Sequence, residues 1–196
     1  DNLFHMSYGM VNLPDGKMKS REGNVIDIDE LLKEMHAKAK DIILNSNKIE
    51  PQYVEELSIL IGDAALKYFI LKPDAKKEVL FNKEESIDFN GHTGPFIQYT
   101  YARINSILEK APSCEPHFTL QRSLIKEEKN LIRLILNYPN ILHQSAKNLN
   151  PAILANYLYN LSKEYNHFYQ KIPILSIKDL NDVNFRVSLS KKISIL

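Results

Sequence analysis

The sequence predicts a mainly α-helical chain, with one strand and a loop near the start and an all-α bundle in the second half. Three observations predict it. All 6 glycines (Gly9, Gly16, Gly23, Gly62, Gly91, Gly94) fall in the first 94 residues, where average usage of roughly 7% would spread them along the chain. The glycine-free remainder is punctuated by Pro112, Pro116, Pro139, Pro151 and Pro173, which reads as helices separated by proline breaks. Between those breaks apolar residues recur every three or four positions.

Taken in order, His5 to Leu13 is the one segment that reads as strand. A helix follows Asp27 or Asp29, either of which can cap its free amides, and runs to about Asn45 on Leu31, Leu32, Met35, Ala39, Ile42 and Ile43. Pro51 to Leu71 is the second, with Val54, Leu57, Ile61, Ala64 and Tyr68 on one side. A domain boundary is expected near residue 90, before the turn Gly91-His92-Thr93-Gly94-Pro95, giving units 1–90 and 91–196. Beyond it, Phe96 to Ala111 carries Ile97, Tyr101, Ile104 and Leu108 on one face, and Gln121 to Asn137 follows, with Pro139 kinking or restarting it. Asn150-Pro151 is an N-cap and first-turn pair for a helix to about Gln170, with Leu154, Leu158, Leu161, Tyr165 and Phe168 inward. Asn181 to Ile195 is the last.

The 196 residues suffice to bury a real core. A hydrophobic share of 44% and a charged share of 25% are those of a folded globular chain rather than a disordered one. With 25 Lys+Arg against 24 Asp+Glu the net charge is +1, so contact with nucleic acid has to come from local patches. Lys17, Lys19 and Arg21 form one such patch; Lys76-Lys77 reads rather as a solvated turn. The single cysteine, Cys114, excludes an intrachain disulfide and a Cys-rich zinc site, and points to a reducing compartment, the cytoplasm. The six histidines are far apart without metal-ligand spacing. The longest apolar stretch, Ser58 to Leu71, is interrupted by Gly62, Asp63 and Lys67, so no membrane span is expected.

The segment Asp15-Gly16-Lys17-Met18-Lys19-Ser20-Arg21-Glu22-Gly23-Asn24 sets three cations and a hydroxyl between two glycines, between strand and helix. Cations so placed can converge on a polyanion such as a triphosphate and stabilise charge developing on a leaving phosphate. A solvated basic turn gives the same composition. The spacing is not that of a P-loop.

Residues 16–24 resemble the KMSKS signature loop of class I aminoacyl-tRNA synthetases, in the variant of the arginyl-tRNA synthetases. His5-Met6-Ser7-Tyr8-Gly9-Met10-Val11 and Val25 to Leu32 resemble the flanking strand and helix start. Ala65-Leu66-Lys67-Tyr68-Phe69 and Gly94-Pro95-Phe96-Ile97-Gln98-Tyr99-Thr100-Tyr101-Ala102-Arg103 resemble that family's passage from catalytic core to anticodon-binding domain, and Leu154 to Tyr157 and Tyr165 to Tyr169 resemble helices of the latter. Two departures accompany the likeness: the usual second lysine of the signature is displaced or missing, with Lys19 and Ser20 at its third and fourth positions, and no His-x-Gly-His motif is present.

The resemblance implies the end of a Rossmann-type catalytic domain, 1–90, followed by a helical-bundle anticodon-binding domain, 91–196, incomplete at its end, in a C-terminal piece of a longer, monomeric enzyme. It implies activation of arginine by ATP, carried with Mg²⁺, and transfer to the arginine tRNA, with the piece alone inactive. Lys17, Lys19 and Ser20 take the catalytic role; Met10, Val11, Lys17, Met18, Lys19, Ser20 and Arg21 take ATP, with Met10 and Val11 offering backbone groups to adenine. For tRNA the candidates are Gln98, Tyr99 and Arg103, an amide, an aromatic face and a guanidinium on one helix, with Asn166 and Tyr169. By spacing alone, Tyr99 and Tyr101 read equally well as core with Arg103 in a salt bridge; Tyr165 and Phe168 read as packing. A stand-alone RNA-binding helical module, a synthetase for cysteine or methionine, and a helical scaffold are the alternatives.

Overall fold

In the computed structural model, which describes residues 5–12, 27–46, 49–112 and 119–196, strand β1 (Val11–Asn12) leads toward helix α1 (Ile28–Ser46). The Asp27 carboxylate accepts the Asp29 N–H at 3.0 Å, the cap expected there. Helix α2 (Pro51–Leu71) starts with proline in its first turn, where the missing N–H costs nothing. A second strand, β2 (Val79–Leu80), pairs in parallel with β1, Val11 opposite Val79. The sequence reading held one strand, from His5; the pairing among the described residues is confined to two residues on each side, and β2 is too short for any periodicity to reveal it. Gly9 makes the approach possible: its N–H donates to the Ala75 carbonyl at 2.7 Å, and a Cβ there would stand 2.1 Å from the Lys77 carbonyl oxygen.

After the short α3 (Lys83–Ser86), helix α4 (Gly94–Lys110) opens on Thr93, whose hydroxyl accepts the Phe96 N–H at 3.2 Å. It begins two residues earlier than the spacing predicts. Gly94 crosses α2 so closely that a Cβ would meet the Ala64 carbonyl oxygen at 2.3 Å. Helix α5 (Lys126–Lys147) starts five residues later than predicted and runs through Pro139. The Tyr157 hydroxyl of the next helix donates to the Leu134 carbonyl at 2.9 Å, one residue before Ile135, whose carbonyl loses its helical donor to the proline. Helices α6 (Pro151–Lys171) and α7 (Leu180–Ile195) agree with the predicted limits, and the Asn150 side chain caps α6 by accepting the Ala152 N–H at 3.1 Å.

Two apolar cores result. Leu31, Met35 and Ala39 of α1 meet Ala65, Leu66 and Phe69 of α2, closed by Phe81 and Ile87. Ile104 and Ile107 of α4 join Leu131, Tyr157, Leu161, Tyr165 and Phe168, sealed by Val183, Val187 and Ile193 of α7. Tyr165 and Phe168 are fully buried, as expected of packing residues. Across the junction the Tyr68 hydroxyl donates to the Ala155 carbonyl at 3.0 Å and the Asn156 amide to the Lys72 carbonyl at 2.8 Å. No described helix is long and apolar enough to cross a membrane.

The bundle is also clamped by charge. Arg122 and Arg186 converge on the fully buried Glu128: Arg122 Nη2 at 2.7 Å, Arg186 Nε at 2.9 Å, and the Ile125 N–H at 3.1 Å. Arg122 also donates to Asp182 at 2.8 Å, joining the start of α5 to α7. Burial alone would push the Glu128 carboxyl up, but the two guanidinium partners outweigh it and hold it below the ordinary carboxylate range.

Candidate nucleic-acid interface

Helix α4 has one buried side and one open side. Thr100, Ile104 and Ile107 face the bundle core, while Tyr99, Arg103, Ser106 and Lys110 follow at spacings of four, three and four and so form one stripe. Along this stripe runs a groove of about 700 Å³, closed on its far side by Tyr169 and by the segment Ile172 to Ser176 after α6.

Arg103 lines the groove. Its guanidinium carbon is 4.8 Å from the Tyr99 ring centroid and 4.7 Å from that of Tyr169, so the cation is held between two aromatic faces. Tyr99 and Tyr169 are 50% and 41% exposed, leaving much of each ring to solvent. Among the described residues no carboxylate pairs with Arg103; its hydrogen-bond partner is the side-chain oxygen of Asn166. The salt-bridged, core-packed reading of these side chains is therefore not the one the fold adopts.

Of the five residues expected to meet RNA, the fold gathers Tyr99, Arg103, Asn166 and Tyr169. Asn166 is buried, however, and spends its amide nitrogen on the Thr100 hydroxyl at 2.8 Å, so it reaches the groove only through Arg103. Gln98 turns toward α2 and donates to the Leu60 carbonyl at 3.1 Å; its side-chain oxygen is buried without a described partner. It borders a neighbouring apolar groove of about 640 Å³ between α2 and α4. Lys110 and Ser106 were missed, although their spacing from Arg103 placed them on its stripe.

Lys17, Met18, Lys19, Ser20 and Arg21 lie outside the described residues. Of the other ATP candidates, Met10 is exposed and its carbonyl accepts the Val79 N–H at 2.9 Å, while Val11 is half-buried in β1. Lys76 and Lys77 are exposed, as expected of a solvated turn. Tyr159 is not a groove residue: it stacks on His92 at 3.8 Å between centroids, and burial holds that imidazole below its ordinary value. Among the described residues, no group of three or more His, Cys, Asp or Glu side chains is placed to hold a metal ion.

Comparison with known proteins gives this groove its context. Residues 97–196 match the DALR anticodon binding domain, and residues 1–82 match the catalytic domain of tRNA synthetases class I (R). The chain belongs to the arginyl-tRNA synthetase family. It is 52% identical to the arginine–tRNA ligase of Flavobacterium psychrophilum, over 98% of this chain and 32% of that protein. Against the ligase of Parabacteroides distasonis the identity is 46%, over 98% of this chain and 33% of the relative. Among solved structures, Thermus thermophilus arginyl-tRNA synthetase superposes with a TM-score of 0.87 at 27% identity, covering 97% of this chain and 32% of that one. The Plasmodium falciparum enzyme gives 0.76 at 25%, with the same coverage. The chain thus spans about a third of the length of the relatives it matches. The groove lies within the part that matches the anticodon-binding family, on the first helix of that part.

Proposed function

We propose that this chain serves an arginine–tRNA ligase, in which arginine is activated by ATP and transferred to the arginine tRNA in the cytoplasm. In this reading the residues up to about 90 complete the catalytic domain and those from 91 onward bind the anticodon arm. The observation that supports it most directly is Arg103, an arginine without a described carboxylate partner, held between two half-exposed tyrosine rings. Single-stranded RNA offers what such a site takes: phosphates for the guanidinium and unstacked bases for the rings. Lys110 extends the positive charge along the groove.

Lys17, Lys19 and Arg21 take the phosphate charge of ATP, which brings its own Mg²⁺, and Ser20 donates to a phosphate oxygen, with Met18 beside them in the loop. Cations so placed favour the transition state, in which charge gathers on departing pyrophosphate, over the ground state. Val11 in β1 and Met10 just before it offer backbone groups toward adenine, other than the Met10 carbonyl, which Val79 already holds. Binding of the protein to arginine tRNA, against a second tRNA, across a potassium chloride series tests the reading. Selective binding whose logarithm falls with the logarithm of salt by several phosphates supports it; equal binding of both tRNAs, or none, refutes it.

A further inference from the structure

Arg103 is held by an unusual partner, and the choice of that partner carries a consequence. The buried Arg186 is met by a carboxylate, Glu128, whereas Arg103 is half-buried at the groove. At Arg103 the acceptor is the neutral side-chain oxygen of Asn166, itself only 8% exposed. The orientation of that amide is not left free. Its nitrogen donates to the Thr100 hydroxyl oxygen at 2.8 Å, and the same hydroxyl donates to the Phe96 carbonyl at 2.9 Å, one turn back in α4. Thr100 is 2% exposed. A chain of hydrogen bonds therefore runs from the α4 backbone through Thr100 and Asn166 to the guanidinium. With the hydroxyl proton spent on a carbonyl, Thr100 can only accept, so the amide must point its nitrogen at Thr100 and its oxygen at Arg103.

We infer that Thr100 and Asn166 are positioning residues that fix Arg103 in the groove while leaving its positive charge intact for a phosphodiester of single-stranded RNA. The inference rests on the reading of the groove as an RNA site and adds to it how the cation is prepared. One hydrogen bond to a neutral oxygen orients the guanidinium but uses a single one of its five N–H donors. An aspartate in the same place would orient it equally well and cancel the charge that a phosphate needs. The flanking rings of Tyr99 and Tyr169 restrict the plane of the guanidinium without neutralising it.

The test is binding of an arginine tRNA transcript to four single variants and one double variant across a potassium chloride series, with a thermal melt of each. Arg103→Gln is expected to weaken binding roughly tenfold, as one charge-assisted contact is lost, and to reduce the salt slope by about 0.7, the value of one single-strand phosphate. Asn166→Asp, which keeps size and acceptor but adds a charge, is expected to produce the same two changes, and the double variant to lose nothing further. Thr100→Val is expected to weaken binding several-fold with the slope kept, because the cation survives but loses its orientation, while Thr100→Ser binds as the parent does. If Arg103→Gln lowers the slope and Asn166→Asp does not, the role given to Asn166 is overturned while the RNA reading of Arg103 stands. If Arg103→Gln itself leaves affinity and slope unchanged, the RNA reading of the groove falls and this inference with it. Should Asn166→Asp fail to fold, the Thr100 pair decides: identical binding by the Val and Ser variants overturns the inference.

Discussion

Arg186 in α7 donates to a buried carboxylate, whereas Arg103 in α4 donates to a buried amide and lies between two tyrosine rings. Both sit in the helical half, and both are held by side chains from a neighbouring helix. What differs is the charge of the partner. Around Glu128, two arginines and two carboxylates close on one another, a backbone N–H takes a further lone pair, and nothing is left for an outside ligand. Around Arg103 every described partner is neutral, and the side chain borders an open groove. The first arrangement ties helices together and the second presents a cation. Sequence composition does not separate them, since each is an arginine inside a helix of the same bundle.

The comparison is broken most severely at Glu128. Glu128→Ala strands Arg186 in the core and removes the Glu128–Arg186 joint between α5 and α7 while leaving Arg122 on Asp182, so a loss of about 3–5 kcal/mol is expected in urea unfolding. The salt slope for tRNA of whatever protein remains folded should be unchanged. The same residue predicts a pH dependence. Its folded value lies below the ordinary 4.5, so its contribution to stability is present above that value and fades as pH falls through the folded one. Stability followed by urea midpoint should drop on acidification in the parent and drop less steeply in Glu128→Gln. An equal pH dependence of the two would show that the cluster is not the source.

Gly94 tests whether the presenting helix must sit where it does. An added methyl would meet the Ala64 carbonyl at 2.3 Å, against backbone that cannot yield without moving α2 or α4. Gly94→Ala is expected to cost about 1–3 kcal/mol, as overpacking does. Because α4 carries the stripe, tRNA binding should weaken too, although no groove residue is altered. A thermal melt and a binding curve on one preparation check both; full stability would show that the two helices are not locked at this crossing.

Tyr169 sharpens the other side of the comparison. Tyr169→Leu keeps an apolar side chain but removes one ring from Arg103 and one stacking surface from the groove, so binding should fall by about 1–3 kcal/mol. Tyr169→Phe should retain most of it, because the ring and not the hydroxyl faces the cation. With Tyr169 41% exposed at the end of α6, the melting temperature should barely change. Loss of stability without loss of binding would return Tyr169 to the core.

Much of this was legible before the fold, and the exceptions share a cause. Helix α2 began at its proline and α6 at its proline and the Asn150 cap, because those signals act within one turn. The start of α5 was placed too early because Arg122 reads as a helix former until its bonds to Glu128 and Asp182 are known, and these span 6 and 60 residues. Pro139 read as a kink or restart because it withholds one helical N–H, while the packing of α5 against α6 that carries the helix through it comes from elsewhere in the chain. In the groove, Tyr99 and Arg103 were visible as a spacing, and Tyr169 as an aromatic at a helix end. Asn166 was visible as a polar residue in an apolar helix, but its burial against Thr100 depends on how α6 crosses α4, which no local pattern encodes. Lys110 needed no tertiary information; seven positions beyond Arg103, it lies on the same stripe.

That omission supplies the smallest and most selective prediction. Lys110 ends α4 as its last basic residue, borders the groove and is exposed. An exposed lysine contributes a hydrated point charge rather than a fixed geometry. Lys110→Gln should therefore lower the salt slope by about 0.7, one single-strand phosphate, while affinity near physiological salt weakens only a few-fold. Stability should change within about 0.5 kcal/mol, as for other surface substitutions. The discriminating measurement is the double variant with Arg103→Gln. Two independent phosphate contacts give additive losses of slope, whereas two cations sharing one phosphate give a combined loss smaller than the sum. Additivity would mean that the RNA backbone follows the stripe for at least two phosphates. Sub-additivity would confine it to the tyrosine-lined end, where the neutral amide of Asn166 holds Arg103.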